Sequence, residues 1–301
     1  MLKMSRSLAM RGPLTLDAMA PILFVLLWST GFVGAKYGLP YAEPMTFLAL
    51  RFAVVIAGMG LWTLLSRAPW PTRRQWGHLA IIGLTVQLGY LGGVFAAIHL
   101  GLESGVSALI VSLQPILSAI LAKPMLGERL HKGQWFGLAL GLAGVALVVS
   151  NKLAAGVGDW RGVGLCLIAL ACMTFGTLWQ KKYGANLPLR SGAVAQYLVA
   201  LVGALALAFL FETREVTWTG EFVFALLWLA VALSFGAIAL LYRLLRTGAA
   251  SRATSLFFMV PPVAALWGWA LFGETLGPTA LLGFVLAAAG VALAMRPQKP
   301  S

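Results

Sequence analysis

The chemistry open to this chain rests on a few polar side chains that interrupt long apolar stretches. Arg51 is the most demanding, because it lies seven residues inside the apolar stretch 44–65, roughly 10 Å along a helix rising about 1.5 Å per residue. If that stretch crosses a membrane, a cation there costs about 2.5–3.5 kcal/mol unless a partner, carbonyl groups or a wet cavity receives it. Arg51 could therefore attract an anionic ligand group, or reach outward and hold helix ends together. Lys36 lies nearer the end of its stretch and can extend to the interface more easily.

Amides, hydroxyls and aromatic rings lie near the middle of other apolar stretches. Hydrocarbon solvates no amide or hydroxyl, so these groups should point inward, where they bind a substrate or bond one another. Ser107, Gln114 and Ser118 are spaced seven and four residues apart, hence on one helical face. Trp28 and Trp228 could line a cavity or pack in the core. The candidate substrate-binding residues are Trp28, Lys36, Arg51, Gln87, Tyr90, Gln114, Thr174, Thr177 and Gln196.

Three prolines fall near the middle of apolar stretches and form a second group of candidates. Pro115 should free the carbonyl group of Val111 and bend its helix, and Pro261, followed by Pro262, should do the same at Phe257. Each bend is either a fixed packing kink or a moving hinge. Both interpretations place the three prolines beside a central cavity, since freed carbonyl groups must find a partner or line a cavity.

Catalytic and metal-binding patterns are missing from the sequence. His78, His99 and His131 fall at predicted helix ends or loops, and none of the nine acidic residues lies well inside an apolar stretch. No metal-ligand spacing occurs, and Cys166 and Cys172 are six residues apart on one predicted helix, where they cannot readily bridge. We therefore expect no enzyme activity, no metal and no cofactor. Proton coupling through a buried carboxylate is also disfavoured, with Glu103 a weak candidate.

Composition identifies the elements that must position these side chains. The 301 residues are 60% hydrophobic and 10% charged, with a mean hydropathy of +0.89, whereas soluble domains average about 45–50% apolar and 25% charged residues. The net charge of +13 resides in short basic runs between the apolar stretches, which indicates membrane topology rather than nucleic-acid binding. Ten stretches are long enough to span a bilayer. They are residues 18–38, 44–65, 77–98, 104–124, 134–150, 162–182, 190–211, 221–242, 249–271 and 277–295.

The distribution of basic residues predicts the orientation. If the N-terminus is inside, inner segments carry 17 of the 22 Lys and Arg residues and outer segments carry 3, while Lys36 and Arg51 lie within predicted helices. Cytoplasmic loops are enriched in Lys and Arg. Both termini are therefore predicted to be cytoplasmic, with an even number of spans.

An internal repeat organises the ten predicted helices. An ungapped offset of 146 residues aligns Lys36-Tyr37-Gly38 with Lys182-Tyr183-Gly184, Pro115 with Pro261, and Glu128 with Glu274. Each half holds five helices, an odd number, so the second half enters the membrane in the opposite sense. The predicted fold is an all-α membrane protein of ten transmembrane helices, arranged as two inverted five-helix repeats around a central cavity. Its parts are a cytoplasmic segment 1–17, a first repeat 18–150, an outer linker 151–161, a second repeat 162–295 and a cytoplasmic tail 296–301.

These residues resemble the bacterial EamA family of the drug/metabolite transporter superfamily. The resemblance rests on Trp28, Ser29, Gly31, Phe32, Lys36, Arg51, Phe52, Pro115, the run from Leu126 to Leu130, Pro261, Gly273, Glu274, Leu276, Gly290 and Val291. It implies an inner-membrane exporter of amino acids and related metabolites, with ten helices around a central cavity. Thr174 stands opposite Trp28 and Tyr197 opposite Arg51 in the repeat. Roles of Trp28 and Arg51 therefore do not carry over to their mates.

The leading function is that of a secondary transporter in the bacterial inner membrane. It would export a small zwitterionic or anionic metabolite, such as an amino acid, by alternating access between similar halves. One alternative is antiport of a phosphorylated or nucleotide-linked sugar, which a deep cluster of several Lys and Arg residues would favour. Another is a non-transporting membrane scaffold, which the buried polar side chains disfavour. The expected partners are the lipid bilayer and a small-molecule substrate, without nucleic acid, and the oligomeric state stays open.

The predicted orientation can be tested with reporter fusions along the chain. A reporter joined within Pro71–Arg74 should signal from the cytoplasm, and one joined at Arg214 should signal from outside. We expect this because loops rich in Lys and Arg stay on the cytoplasmic side of the membrane. An outside signal at both positions would contradict the assignment.

Overall fold

The structure, a computed structural model, describes residues 16–126, 132–156, 158–237, 240 and 257–294, and its regular elements in these ranges are all helical. The α-helices are α1 Leu16–Gly38, α2 Pro44–Leu65, α3 Arg73–Ile82, α4 Leu91–His99, α5 Ser104–Val111, α6 Gln114–Leu126, α7 Lys132–Ala154, α8 Trp160–Tyr183, α9 Leu189–Phe211, α10 Gly220–Leu227, α11 Val260–Phe272 and α12 Pro278–Ala294. Two π-helical segments, π1 Gly83–Tyr90 and π2 Trp228–Ala237, and short 3₁₀ turns at Gly184–Asn186 and Phe257–Met259 complete the set. The prediction of an all-helical membrane protein is confirmed.

Among the residues that the structure describes, six helical stretches are long and apolar enough to cross a membrane. They are Met19–Gly38, Pro44–Leu65, Arg73–His99, Trp135–Ala154, Trp160–Asn186 and Leu189–Phe211. Four apolar helical stretches are shorter, namely Ser104–Ser118, which includes α5 and the start of α6, Gly220–Gly236, Val260–Phe272 and Pro278–Leu293. Each of these stretches overlaps one of the ten apolar stretches in the sequence. Many large apolar side chains on the flanks are exposed, such as Phe209 at 67% and Leu210 at 73% on α9, which suits contact with lipid rather than water.

The fourth apolar stretch is broken rather than kinked. α5 ends at Val111 and α6 begins at Gln114, so Pro115 is the second residue of a new helix, where its missing N–H costs little. Pro261 and Pro262 likewise occupy the second and third positions of α11. The prediction that these prolines lie in the middle of continuous helices is therefore wrong. Each lies at the start of a short helix, α6 for Pro115 and α11 for Pro261 and Pro262.

The third apolar stretch is continuous but contains a π-helical segment. α3, π1 and α4 form one helical stretch from Arg73 to His99. A π-helical segment has a wider turn than an α-helix and occurs often at functional sites. π2 follows α10 in the second half, and an offset of 146 residues carries 83–90 onto 229–236, within π2. Apolar periodicity did not predict either π segment.

Small residues set the closest helix contacts. α7 packs along α12, and a Cβ atom added at Gly144 would lie 2.6 Å from the Gly283 carbonyl oxygen and the Ala287 backbone nitrogen. α2 packs along α9. The larger apolar core lies around this second contact and includes Phe47, Phe52 and Phe95. Close backbone approach through glycine is the expected means of packing helices in lipid, where no hydrophobic force drives them together.

The glycine contact between α7 and α12 predicts a sharp loss of stability in a Gly144→Ala variant. The added methyl group would meet backbone atoms that cannot rotate away, at a cost of about 1–3 kcal/mol. Thermal unfolding of the purified protein in detergent would measure it. Gly164→Ala is the matched control, since no described atom lies within 4 Å of a Cβ at Gly164. Equal melting temperatures for both variants would contradict the packing argument.

Candidate functional site

Arg51 is buried without a hydrogen-bonding or acidic partner in the described part of the chain. Its residue surface is 5% exposed, and its Nε atom has no hydrogen-bond acceptor there. The groups that interact electrostatically with the guanidinium are the phenols of Tyr197 and Tyr90. Tyr197 also packs on Phe52, with ring centroids 5.6 Å apart. A guanidinium without an acidic partner can receive a carboxylate through two parallel hydrogen bonds.

Three elements bring these groups together. Arg51 is on α2, Tyr197 is on α9, and Tyr90 is the last residue of π1. π1 can lie directly on the α9 backbone because residue 83 is glycine: a Cβ there would be 2.4 Å from the Gln196 carbonyl oxygen. Gln87 and the Gln196 side chain are half-buried on the same two elements. The structure therefore places Gln87, Tyr90 and Gln196 on the two elements of this contact and adds Tyr197. The fourth candidate, Arg51, is on α2, which packs along α9.

Two loops fix the start of α2 against the end of α9. The Glu212 carboxylate accepts hydrogen bonds from the backbone nitrogens of Met45 (2.7 Å) and Thr46 (2.8 Å), so it caps α2. In return, Glu43 Oε2 accepts from the Thr213 hydroxyl and backbone N–H, both at 2.6 Å. The Thr213 hydroxyl bond, with the backbone bonds, lowers the pKa of Glu43 below its usual 4.5. This reciprocal pairing joins the start of α2, the helix of Arg51, to the end of α9, the helix of Tyr197.

A second group of candidates connects α6 to α8. The Gln114 amide donates to the Thr177 hydroxyl and to the Ser118 hydroxyl, each at 3.0 Å. Thr174 is fully buried and donates to the Leu170 carbonyl oxygen at 2.7 Å within its own helix. In these positions Gln114 and Thr177 join α6 to α8. Bonding between helices is one of the two roles predicted for them, substrate binding being the other.

Trp28 belongs to an aromatic cluster. Its ring lies 5.3 Å from that of Phe24 and 5.1 Å from that of Phe257. Trp228 donates its indole N–H to the Thr30 hydroxyl at 2.9 Å. The contacts of Trp28 are those of a packed side chain, again one of the two roles expected for it.

Lys36 does not extend away from the protein. Its ammonium lies 2.7 Å from Glu274 Oε1, and the Glu274 residue is 5% exposed. Lys152 and Glu103 form a second buried pair at 2.7 Å. Sequence reasoning missed both pairs, because it looked for acids inside helices and these acids lie just beyond helix ends. The predicted topology puts Lys152 and Glu274 on the same, outer side of the membrane. That shared location is the feature of the sequence that could have indicated charge pairing there.

Family comparison agrees with the class of protein that this structure defines, a multi-span helical membrane protein with a buried polar centre. The EamA-like transporter family model matches the chain twice, over residues 17–150 and 160–296, so the chain belongs to that family. It is a multi-pass inner-membrane transporter rather than an enzyme, it sits in the lipid bilayer, and it handles small-molecule substrates.

Individual relatives cover nearly the whole chain. A "probable amino-acid metabolite efflux pump" of Salmonella typhimurium strain LT2 is 27% identical over 284 residues, covering 91% of this chain and 93% of that protein. An "uncharacterized inner membrane transporter", YedA of Escherichia coli strain K12, is 26% identical over 251 residues, covering 83% and 81%. A solved crystal structure shares the fold with a TM-score of 0.60 at 21% identity, covering 92% of this chain and 95% of that one.

The bond between Gln114 and Thr177 can be tested by a double-mutant cycle. Thr177→Val and Gln114→Leu should each lower the melting temperature, with a coupling energy of about 0.6–1.7 kcal/mol, the range for hydrogen bonds between membrane helices. Ser118→Ala, which keeps the bond, is the control. Zero coupling would show that the two side chains do not stabilise each other.

Proposed function

We propose that this protein exports a small zwitterionic or anionic metabolite, such as an amino acid, by alternating access between two inverted five-helix repeats. The observation that carries the proposal is the Arg51 guanidinium, which is buried without an acidic partner in the described ranges. An unpaired buried charge is costly and persists where a partner arrives with function. A substrate carboxylate supplies that partner.

The state of the other cations supports a singly charged group over a phosphate. Lys152 is engaged by Glu103, and Lys36 by Glu274. In the described part of the chain, Arg51 is therefore the buried cation that remains for a ligand. A phosphate carries more negative charge and is usually bound by several cations. The printed name of the Salmonella relative, an amino-acid metabolite efflux pump, supports the same substrate class.

Reciprocal contacts support the inverted repeat and ten spans. An offset of 146 residues carries α1 to α8, α6 to α11, and π1 to π2. α1 packs on α11 and on π2, and the mates of those contacts, α8 on α6 and α8 on π1, are also present. Such exchange between halves is the arrangement that a two-fold axis produces. In the described ranges, four long and one short apolar helices fall in the first half, and two long and three short ones fall in the second, which corresponds to five spans in each repeat.

Two glycine contacts between α7 and α12 also support the inverted repeat. A Cβ at Gly144 would lie 2.6 Å from the Gly283 carbonyl oxygen, and a Cβ at Gly290 would lie 2.6 Å from the Gly137 carbonyl oxygen. The offset pairs Gly144 with Gly290 and Gly137 with Gly283. The two contacts are thus each other's repeat mates.

The substrate site in this proposal centres on Arg51, Tyr90 and Tyr197, with Gln87 and Gln196 beside them. The phenol and amide oxygens can accept hydrogen bonds from a substrate ammonium. An offset of 146 residues pairs Arg51 with Tyr197, so the site lies where the two repeats meet, as in transporters that rock about a midplane site. Pro115, Pro261 and Pro262, at the starts of short helices, are the proposed hinges.

Arg51→Gln should weaken binding of carboxylate-bearing metabolites and leave their amide or ester analogues nearly unaffected. A charge-assisted hydrogen bond is worth about 1.5–3 kcal/mol, so affinity should fall roughly tenfold to a hundredfold. Ligand-induced thermal shifts across a panel of amino acids, organic acids, their neutral analogues and phosphorylated sugars would measure it.

The control for that substitution is Arg190→Gln, which removes an exposed guanidinium stacked on Trp62 at 4.6 Å, away from Arg51. It should bind every ligand as the unmodified protein does. Normal carboxylate binding by Arg51→Gln at an unchanged melting temperature would overturn the role of Arg51. Preferential loss of phosphorylated sugars would favour the sugar-phosphate alternative.

A further inference from the structure

A buried polar network lies at the end of the molecule that carries Glu274. The Glu274 carboxylate accepts hydrogen bonds from the Lys36 ammonium (2.7 Å), the Ser104 backbone N–H (2.9 Å) and the Ser104 hydroxyl (3.0 Å). Ser104 is the first residue of α5, so the carboxylate also faces a helix N-terminus, which favours negative charge. Glu274 therefore joins α1 and α5 to the turn that follows α11.

A second ion pair lies beside the first. Lys152, near the end of α7, is 2.7 Å from Glu103 Oε2 and donates to the Thr275 hydroxyl at 2.8 Å and to the Thr275 carbonyl oxygen. Lys152 is 5% exposed and Glu103 is 8% exposed. Glu274 and Thr275 are adjacent, so one short turn receives bonds from both ammonium groups.

The side-chain bonds that join Lys36, Ser104 and Lys152 to that turn cross between the two halves of the chain. Lys36, Ser104 and Lys152 precede residue 155, whereas Glu274 and Thr275 follow α11. The packing beneath is tight: a Cβ at Gly268 would lie 2.1 Å from Glu274 Oε2 and 2.7 Å from the Ser104 hydroxyl oxygen. With this packing there is no free space for a side chain at residue 268, and the two halves are closed against each other here.

The repeat does not reproduce the whole network at its other end. The offset of 146 residues pairs Lys36 with Lys182 and Glu274 with Glu128, so one cation and one acid recur in the sequence. Glu103 and Lys152 are paired with Ala249 and Gln298. The repeat mates of the second ion pair therefore carry no charge, and this pair is not repeated in the sequence.

We propose that Lys36, Glu103, Ser104, Lys152, Glu274 and Thr275 form a latch that holds the Glu274 end of the transport pathway shut. Buried ion pairs add little net stability compared with apolar packing, but removing one partner is costly. Their effect is thus to favour the one arrangement in which all the partners meet. The halves must separate here for a substrate to pass. That separation breaks the bonds that Glu274 and Thr275 receive from Lys36, Ser104 and Lys152, whereas the Lys152–Glu103 pair lies within the first half and positions the Lys152 ammonium. This inference rests on the proposed transport function.

Hydrogen–deuterium exchange on the full-length protein in lipid nanodiscs, without substrate, tests the latch. In Glu274→Gln, amides of residues 103–107 and 273–277 should exchange roughly tenfold to a hundredfold faster, the range for losing a charge-assisted hydrogen bond. Lys36→Gln should have a smaller effect. Ser104→Ala should have the smallest effect, because it keeps the hydrogen bond from the backbone N–H of residue 104 to Glu274. If the variants that remove a charge fold poorly, Ser104→Ala still allows the test.

The matched control is Arg161→Gln, which breaks an exposed ion pair to Asp159, 3.8 Å long with side chains 83% and 45% exposed. It should leave exchange unchanged in both segments. Unchanged exchange in the three latch variants would overturn the proposal. A uniform rise over all helices would also overturn it, because the network would then stabilise only the fold.

The outcome for the latch is separable from that for the substrate site. Exchange is measured without ligand, so a failed Arg51 test leaves the latch result standing. Conversely, normal carboxylate binding in a protein whose latch variants show unchanged exchange would reject the latch and keep the transport function.

Discussion

The constraint on which this structure depends is that a polar group inside hydrocarbon must be satisfied by the protein itself. Backbone groups meet it by forming helices throughout the described spans. Lys152 and Glu274 meet it through buried ion pairs and hydrogen bonds at one end of the molecule. Arg51 differs from these two charged residues, because it is buried and has no acidic partner in the described ranges. A charge that the protein leaves unpaired in such an environment is the strongest indication of where a ligand binds.

Close helix packing gives these groups their positions. Because lipid provides no hydrophobic drive between helices, contact depends on small residues and on hydrogen bonds. Glycines at 83, 144 and 268 bring backbones or carboxylates within distances that any Cβ would prevent. They set π1 against α9 beside Arg51, α7 against α12, and the Glu274 turn against α5. The proposed substrate site and the proposed latch therefore both depend on glycine contacts between the two halves of the chain.

Sequence reasoning was most successful where the signal was local. Runs of apolar residues gave helix positions close to those observed, as for 44–65 against Pro44–Leu65 and 190–211 against Leu189–Phe211. It also singled out Arg51, since a cation well inside an apolar run is visible without a structure. It expected a kink where α5 and α6 are separate helices, because a proline reveals a disturbance but not whether the chain continues. The π segments and the partner of Lys36 were missed, as both depend on which residues meet across the bundle.

By itself, the sequence determined that this is a helical membrane protein, which residues are charged within its spans, and that its halves share a register. Length, apolarity and residue type are sufficient for these, because the bilayer imposes them on each segment separately. Only the tertiary structure decided that Lys36 is paired and Arg51 is not, that Gln114 bonds Thr177, and that Tyr197 joins Arg51. Those outcomes are distances between residues as far as 238 positions apart in the chain. Side-chain packing, rather than local composition, decides such distances.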